Sequence, residues 1–330
     1  MRRYLNKALI IDGSYCLHRA LHTPALQELR TSKGVKSGGV FGFLRILQAE
    51  IKKCPGYFPI VCWDKGLSER RTKLYPDYKA NRQRIVADNA LALGINGEVD
   101  DYLEEYHRQR SDLIQILKVL GIPSLLIPGW EGDDLQYLLS TVSEDCIVLS
   151  DDKDMIQLVS PTCRIRRAMK DEWITWEDSD PGYHHPHYTI VKSMCGDPSD
   201  NIPKVASGLG WKGADQIASL IDSLDSFDDY KKTLQEFVEK GKGAIVKKTI
   251  SLLANWDQFV INYNLTDLRL VTPPEGFEMM IRDLIVGVVG HSNLLKAYSL
   301  IGQYEMSTIY PDQIIFLLSA ASSQLLKEGQ

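Results

Sequence analysis

The chain lacks a long apolar run, a Cys-x-x-Cys pair, an excess of positive charge and any internal repeat or low-complexity segment. Each absence excludes something. A membrane helix needs roughly 18 or more consecutive apolar residues, and no run here approaches that length, so no membrane role is expected. Met1 to Lys7 leads straight into a strand pattern without an apolar signal segment, which suits a cytoplasmic protein. The cysteines (Cys16, Cys54, Cys62, Cys146, Cys163 and Cys195) fall largely inside apolar runs, where free thiols act as small buried hydrophobes in a reducing compartment. The net charge of −5, from 38 basic and 43 acidic residues, rules out a uniformly basic nucleic-acid coat. Local charge is therefore more informative than the total.

What is present is a soluble-enzyme composition: 330 residues with 44% apolar content, enough for a real core and for roughly two domains. Within it, apolar runs repeatedly end in carboxylates. Ala8 to Ile11 runs into Asp12, and Phe58 to Trp63 runs into Asp64. Ser124 to Ile127 leads through a Pro-Gly turn to Glu131, Asp133 and Asp134, and Cys146 to Leu149 opens onto Asp151, Asp152 and Asp154. Short runs alternating with helical patterns through about residue 180 indicate an α/β fold with a mostly parallel central sheet flanked by helices. In such sheets ligands sit beyond the carboxyl ends of the strands, so these groups should converge. Crowded carboxylates repel, and a hard divalent cation bound through oxygen, Mg²⁺ or Mn²⁺, is their natural occupant. Ser111 to Leu120 reads as an amphipathic helix, and Asp133 to Val142 as another whose first turn favours acidic residues through the helix dipole.

Basic residues concentrate just after Asp64. Lys65, Arg70, Arg71, Lys73, Lys79, Arg82 and Arg84 face only Glu69 and Asp77, with Tyr75 and Tyr78 interleaved. Such a stretch can grip phosphates and stack on unpaired bases, although taken alone it is more often a solvated face. A second cluster, Lys231, Lys232, Lys240, Lys242, Lys247 and Lys248, is tempered by Glu236 and Glu239 and reads first as a charged helix surface. His184, His185 and His187 have neither a companion cysteine nor an i, i+4 spacing, so a surface loop is preferred to a zinc site. Further on, Asp197 and Asp200 lie three apart on an expected helical turn, followed by Gly208-Leu-Gly210-Trp-Lys212. That Gly-x-Gly exposes backbone N–H groups at a helix start, a setting suited to phosphate.

Taken together these elements resemble the 5′ nuclease family: flap endonucleases, phage 5′→3′ exonucleases and the 5′ nuclease domain of bacterial DNA polymerase I. The resemblance runs from Ile10 to about Leu220, and rests on Ile-Ile-Asp12-Gly, Trp-Asp64-Lys-Gly, Arg71 with Pro76-Asp-Tyr78-Lys79-Ala-Asn-Arg82, Glu131-Gly-Asp133-Asp134, Ser150-Asp-Asp152-Lys-Asp154 and Gly196-Asp197-Pro-Ser-Asp200-Asn. The order and spacing of these elements carry the likeness, and the size resembles the free-standing phage enzymes most.

The resemblance implies a PIN-like catalytic domain over residues 1–180, with a helical arch at about 70–110. It also implies a helical DNA-binding domain over 181–330, with a helix–hairpin–helix at about 190–222. Asp12, Asp64, Glu131, Asp133 and Asp134 match a first metal cluster, and Asp152, Asp154, Asp197 and Asp200 a second. Asp151 sits where relatives often carry an uncharged residue and is left out of the ligand set. Lys79 and Arg82 match arch residues that contact the scissile phosphate, with Arg71 and Tyr78 beside them, while Gly208, Gly210 and Lys212 match the hairpin that grips duplex backbone. Two Mg²⁺ ions about 4 Å apart would then clamp the phosphate, with Mn²⁺ able to substitute and Asp12 and Asp134 essential to the chemistry. The expected substrates are nicked or branched duplexes with a 5′ single strand and RNA–DNA hybrids, cut by a monomer that works beside replication proteins to leave a 5′-phosphate and a 3′-hydroxyl.

Two departures stand out. The family hairpin reads Gly-Val-x-Gly-Ile-Gly and can hold K⁺, whereas Lys204 to Gly210 lacks the first glycine and is one residue longer, which leaves a K⁺ site open. From Ser223 onward no motif matches, and Gln313 to Leu318 reads as an amphipathic helix rather than a clamp-binding peptide. Among rival classes, a haloacid-dehalogenase phosphatase needs Asp-x-Asp where this chain has Asp12-Gly-Ser14. A PIN-class ribonuclease would share the acidic crevice without the arch and hairpin. A non-catalytic DNA-structure binder has no reason to concentrate carboxylates against phosphate.

Overall fold

The computed structural model describes residues 3–81, 99–177, 185–322 and 325. The chain divides into two compact units, one of Met1–Gly66, Gly97–Trp176 and Val271–Gln330, the other of Leu67–Asn96 and Glu177–Leu270.

The first unit is built on a six-stranded sheet of order β3-β2-β1-β4-β5-β6. Its strands are β1 (Leu5–Asp12), β2 (Phe58–Cys62), β3 (Ser124–Leu125), β4 (Ser143–Leu149), β5 (Cys163–Arg167) and β6 (Glu172–Ile174). All neighbours pair in parallel except β5 with β6. Ala8 to Ile11 and the whole of β2 are buried, as expected for parallel strands covered on both faces. Helices α1 (Gly13–His22), α2 (Pro24–Gln27) and α3 (Gly38–Lys53) follow β1; α5 (Val99–Leu120) precedes β3, and α6 (Gly132–Val142) packs on β1, β2 and β4. Alternation of β and α through these segments agrees with the expected fold class.

Two strands escaped the sequence reading. In β5, Cys163-Arg-Ile-Arg-Arg167, arginines interrupt the apolar pattern, yet Arg166 is fully buried. Its charge is compensated by Glu50, whose Oε2 lies 2.8 Å from Arg166 Nε. A buried charge needs such a partner, and that partner is over a hundred residues away in sequence.

The C-terminal segment also departs from expectation. Instead of extending a helical domain from 181 to 330, residues 271–330 rejoin the sheet-bearing unit. There α12 (Phe277–Val288), α13 (Leu294–Gly302) and α14 (Pro311–Ser322) pack with the earlier elements, α13 against α5 and α14 against α3 and β2. Backbone bonds fix the return: Asn293 N–H donates to Val119 O at 2.8 Å, and Asn6 N–H donates to Leu325 O at 2.9 Å.

The second unit is helical: α4 (Glu69–Leu74), α7 (His185–Cys195), α8 (Trp211–Ala218), α9 (Phe227–Lys240), α10 (Ala244–Ala254) and α11 (Trp256–Thr266). Met194, Leu209, Ile217, Leu234 and Phe259 lie in its core, all fully buried. Among the described residues no helix is long and apolar enough to cross a membrane.

One contact in the first unit bears directly on how Asp12 is presented. A Cβ on Gly13 would stand 2.6 Å from Val61 Cγ1 and 2.7 Å from the Trp63 ring, and Trp63 is fully buried. Gly13→Ala should therefore destabilise the protein by about 1–3 kcal/mol through overpacking. A thermal melt checks this; an unchanged melting temperature would mean that the Trp63 side chain yields freely.

Candidate active site

Because β3, β2, β1 and β4 are adjacent and parallel, their carboxyl ends open on the same edge of the sheet. Asp12 is the last residue of β1 and also caps α1. Its Oδ1 accepts from the Tyr15 N–H at 2.8 Å, and its Oδ2 accepts from the Ser150 hydroxyl at 3.0 Å. Asp64 lies two residues past β2; its N–H donates to Ser14 Oγ at 3.0 Å, and its Oδ1 accepts from Gly132 N–H at 2.6 Å. That second bond places the Asp64 carboxylate on the N-terminus of α6, where free N–H groups and the helix dipole favour negative charge. Glu131 occupies the N-cap position of α6 with Asp133 and Asp134 in its first turn, and Glu131 and Asp134 are buried. Beyond β4, Asp152 caps a short 3₁₀ turn, Lys153–Leu158, accepting from the Asp154 N–H at 2.8 Å.

The electrostatics tie these groups to one neighbourhood. Burial, then the charges of Asp64 and Asp152, push the Asp12 carboxyl up to about 7, against the bonds from Tyr15 and Ser150 that pull it down. Burial raises the Cys62 thiol well above its usual value, and Asp12, Asp64 and Asp133 add to that rise. Among the described residues no three His, Cys, Asp or Glu side chains stand close enough to hold an ion between them. The donor chemistry nevertheless fits a hard divalent cation: the donors are carboxylate oxygens, and the buried Asp12 is a carboxyl whose ionisation its surroundings oppose. A cation would reverse that opposition.

This has a pH signature. If Asp12 ligates a divalent cation it must first lose its proton, so apparent affinity for an ion such as Mg²⁺ should fall about tenfold per pH unit below pH 7 and level off above it. The same raised value makes metal-free protein lose stability as pH climbs from the ordinary carboxylate range through about 7, with no further change above. Calorimetric Mg²⁺ titration between pH 5.5 and 8.5 would show the slope; a flat profile would contradict the shift.

The second unit holds the other expected residues. Asp197 caps the short turn Pro198–Asp200, and its Oδ2 lies 2.8 Å from Lys192 Nζ. Burial would raise its carboxyl, but Lys192 and Ser199 outweigh that and hold it below the usual value. Asp200 is gripped by Tyr78 and Lys79: Lys79 N–H donates to its carbonyl at 2.9 Å, Lys79 Nζ lies 3.8 Å from Oδ2, and the Tyr78 hydroxyl donates to Oδ2 at 3.2 Å. Lys79 also covers the Tyr78 ring at 4.9 Å and adopts a left-handed backbone, φ 57°. Arg71, Tyr78 and Lys79 are all buried, and Arg71 Nε donates to Leu265 O at 2.9 Å. The expected nucleic-acid contacts at these three positions thus meet side chains engaged within their own unit. Arg82, with the rest of residues 82–98 of the expected arch, lies outside the described residues.

At the hairpin, Gly210 is the N-cap of α8, and Gly208, Gly210 and Lys212 are exposed. Only Gly208 has a positive φ, 70°; Gly210 is extended and a Cβ there meets nothing within 4 Å.

Residues 7–180 match the family described as 5′-3′ exonuclease, N-terminal resolvase-like domain. The chain belongs to this family. It is 30% identical over 271 residues to a 5′-3′ exonuclease of Aquifex aeolicus, a match covering 80% of this chain and 86% of the other. In fold it resembles the T5 5′-exonuclease with bound zinc, with a TM-score of 0.60 at 20% identity over 95% of this chain and 100% of that one. It also resembles the bacteriophage T5 flap endonuclease in complex with DNA and metal ions, with a TM-score of 0.58 at 19% identity, covering 96% and 99%. As a member of the 5′-3′ exonuclease family the protein is a nuclease that hydrolyses phosphodiester bonds.

Several residues of this exonuclease's crevice had no role in the sequence reading. Ser14 and Ser150 orient Asp64 and Asp12, and Arg110 donates to the Asp64 carbonyl at 2.9 Å. Ser150 was visible inside a quoted motif, whereas Ser14 entered only through Asp12-Gly-Ser14, and each holds a carboxylate residue far away in sequence. Arg110 carried no such signal, since its contact depends on how α5 crosses the sheet.

Proposed function

We propose that the protein is a divalent-metal-dependent, structure-specific 5′ nuclease that acts as both 5′→3′ exonuclease and flap endonuclease on DNA and RNA primers. The observation that carries this reading is Asp12: a buried carboxyl at the end of β1, pushed up to about 7 by burial and by Asp64 and Asp152. A site that concentrates negative charge against a phosphodiester needs a cation to work. The divalent zinc in the T5 5′-exonuclease and the DNA and metal ions in the T5 flap endonuclease are consistent with it.

In this reading Asp12, Asp64, Glu131, Asp133 and Asp134 hold one Mg²⁺, and the motif match assigns Asp152, Asp154, Asp197 and Asp200 to a second, with Mn²⁺ substituting. Bound there, the ions would activate water and stabilise the leaving oxygen. Lys79 and Arg82 would offset charge on the scissile phosphate, with Arg71 and Tyr78 supporting the base of the arch. Gly208, Gly210 and Lys212 would grip duplex backbone at the start of α8, where exposed N–H groups suit a phosphate. The open space at Gly210 allows close approach, and K⁺ at the lengthened hairpin belongs to the same proposal.

The test is cleavage of a 5′-flap duplex, a matched 3′-flap duplex and the free single strand, each with Mg²⁺ or with EDTA. Rapid cutting of the 5′ flap in Mg²⁺ alone is expected. Equal cutting of both flaps, or activity in EDTA, would overturn the reading.

A further inference from the structure

The sequence Ser150-Asp151-Asp152 places a further carboxylate beside the crevice, and the structure gives it a different task from its neighbours. The Asp151 side chain is buried, 8% exposed, and faces α1 and β5. Its Oδ2 accepts from the Tyr15 hydroxyl at 2.6 Å and from the Met169 N–H at 3.1 Å. The Arg167 guanidinium, itself buried, stands 3.9 Å from Oδ1, compensating part of the buried charge.

Tyr15 is the other half of the arrangement. Its backbone N–H donates to Asp12 Oδ1 at 2.8 Å, while its hydroxyl reaches Asp151. One residue thus touches both the carboxylate at the end of β1 and the residue before Asp152 at the end of β4. A shorter tie runs alongside: the Ser150 hydroxyl donates to Asp12 Oδ2, and Ser150 Oγ accepts from the Asp152 N–H at 3.2 Å. The ends of β1 and β4 are thus joined by two separate ties, one through Ser150 and one through Tyr15 and Asp151.

We propose that Tyr15 and Asp151 are positioning residues: their hydrogen bond sets the separation and angle between Asp12 and the Asp152 loop, and so how the carboxylates of the two loops are presented to the divalent ions they would hold. The proposal rests on the metal-dependent nuclease reading above. Asp151 itself is an anchor rather than a ligand, because its oxygens are turned to Tyr15, Met169 and Arg167. Misplacement of a supporting group by a fraction of an ångström is enough to slow a metal-assisted reaction without disturbing substrate binding.

The experiment compares wild type, Tyr15→Phe, Asp151→Ala and the double variant. Tyr15→Phe keeps the ring packing and removes only the hydroxyl, so it remains informative if Asp151→Ala folds poorly. Three quantities are measured: single-turnover cleavage of a 5′-flap duplex, DNA affinity in EDTA, and Mg²⁺ binding by calorimetry without DNA. Each single variant should cut roughly tenfold more slowly and bind Mg²⁺ several-fold more weakly, with DNA affinity unchanged. The double variant should be no worse than the more affected single one, because both changes remove the same bond. Wild-type rate and Mg²⁺ affinity in Tyr15→Phe would overturn the proposal, as would losses that multiply in the double variant. If wild type itself neither binds Mg²⁺ nor cuts the flap, the nuclease reading fails and the proposal with it, an outcome distinct from the variants behaving as wild type.

Discussion

Asp12→Asn should lower single-turnover cleavage by about a thousandfold while leaving DNA affinity equal or higher. β1 ends in this buried carboxylate, and loss of one group that stabilises charge in the transition state typically costs a hundred- to a thousandfold. Asparagine keeps the shape and an acceptor for the Tyr15 N–H, so the cap on α1 survives. Affinity should not fall, because removing a negative charge also removes repulsion of phosphate. The variant should be at least as stable as wild type in EDTA above pH 7, since the charge that burial, Asp64 and Asp152 oppose is gone. Asp134→Asn, at the other wall of the crevice, should behave alike in cleavage. Full activity of Asp12→Asn at ordinary Mg²⁺ concentrations would exclude Asp12 as a ligand.

Lys79→Ala should cut about a hundredfold more slowly, beyond any loss of affinity. In this structure the ammonium is buried and stands 3.8 Å from Asp200 Oδ2 over the Tyr78 ring. Two roles compete. As a structural counter-ion to Asp200, its loss would lower the melting temperature and leave the cleavage step nearly intact. As a donor to the scissile phosphate, its loss would slow the bound step by the amount typical of one lost transition-state donor, while affinity and salt dependence change by about one phosphate contact. Single-turnover rates at saturating enzyme, together with thermal melts, separate the two. A rate deficit explained entirely by weaker binding or by a less stable fold would favour the counter-ion.

The carboxylates at the strand ends were legible because their logic is local. Asp12, Asp64 and the Asp152 loop each follow a short apolar run, and the alternation of such runs with helical patterns points to a buried parallel sheet. Glu131, Asp133 and Asp134 were read from the start of the α6 pattern, and the observed helix begins at Gly132. The less legible features depend on distant partners. Arg166 reads as polar until Glu50 neutralises it, which hid β5. Lys79 and Tyr78 read as an exposed basic and aromatic pair, and are buried because Asp200, more than a hundred residues on, receives them. Asp151 was set aside for its divergence from relatives, and its bond to Tyr15 depends on how α1 leaves β1. The return of residues 271–330 to the first unit had no motif to announce it, only apolar helix faces that fit several neighbours.

Calorimetric titration of wild type and Asp12→Asn with Mg²⁺ and with Mn²⁺ at pH 8, without DNA, tests most directly whether these strand-end carboxylates form the metal centre. Wild type should bind divalent ions, and Asp12→Asn should lose at least one binding event while keeping the wild-type fold by circular dichroism. Identical titrations for the two proteins would contradict a metal centre built on the carboxyl end of β1.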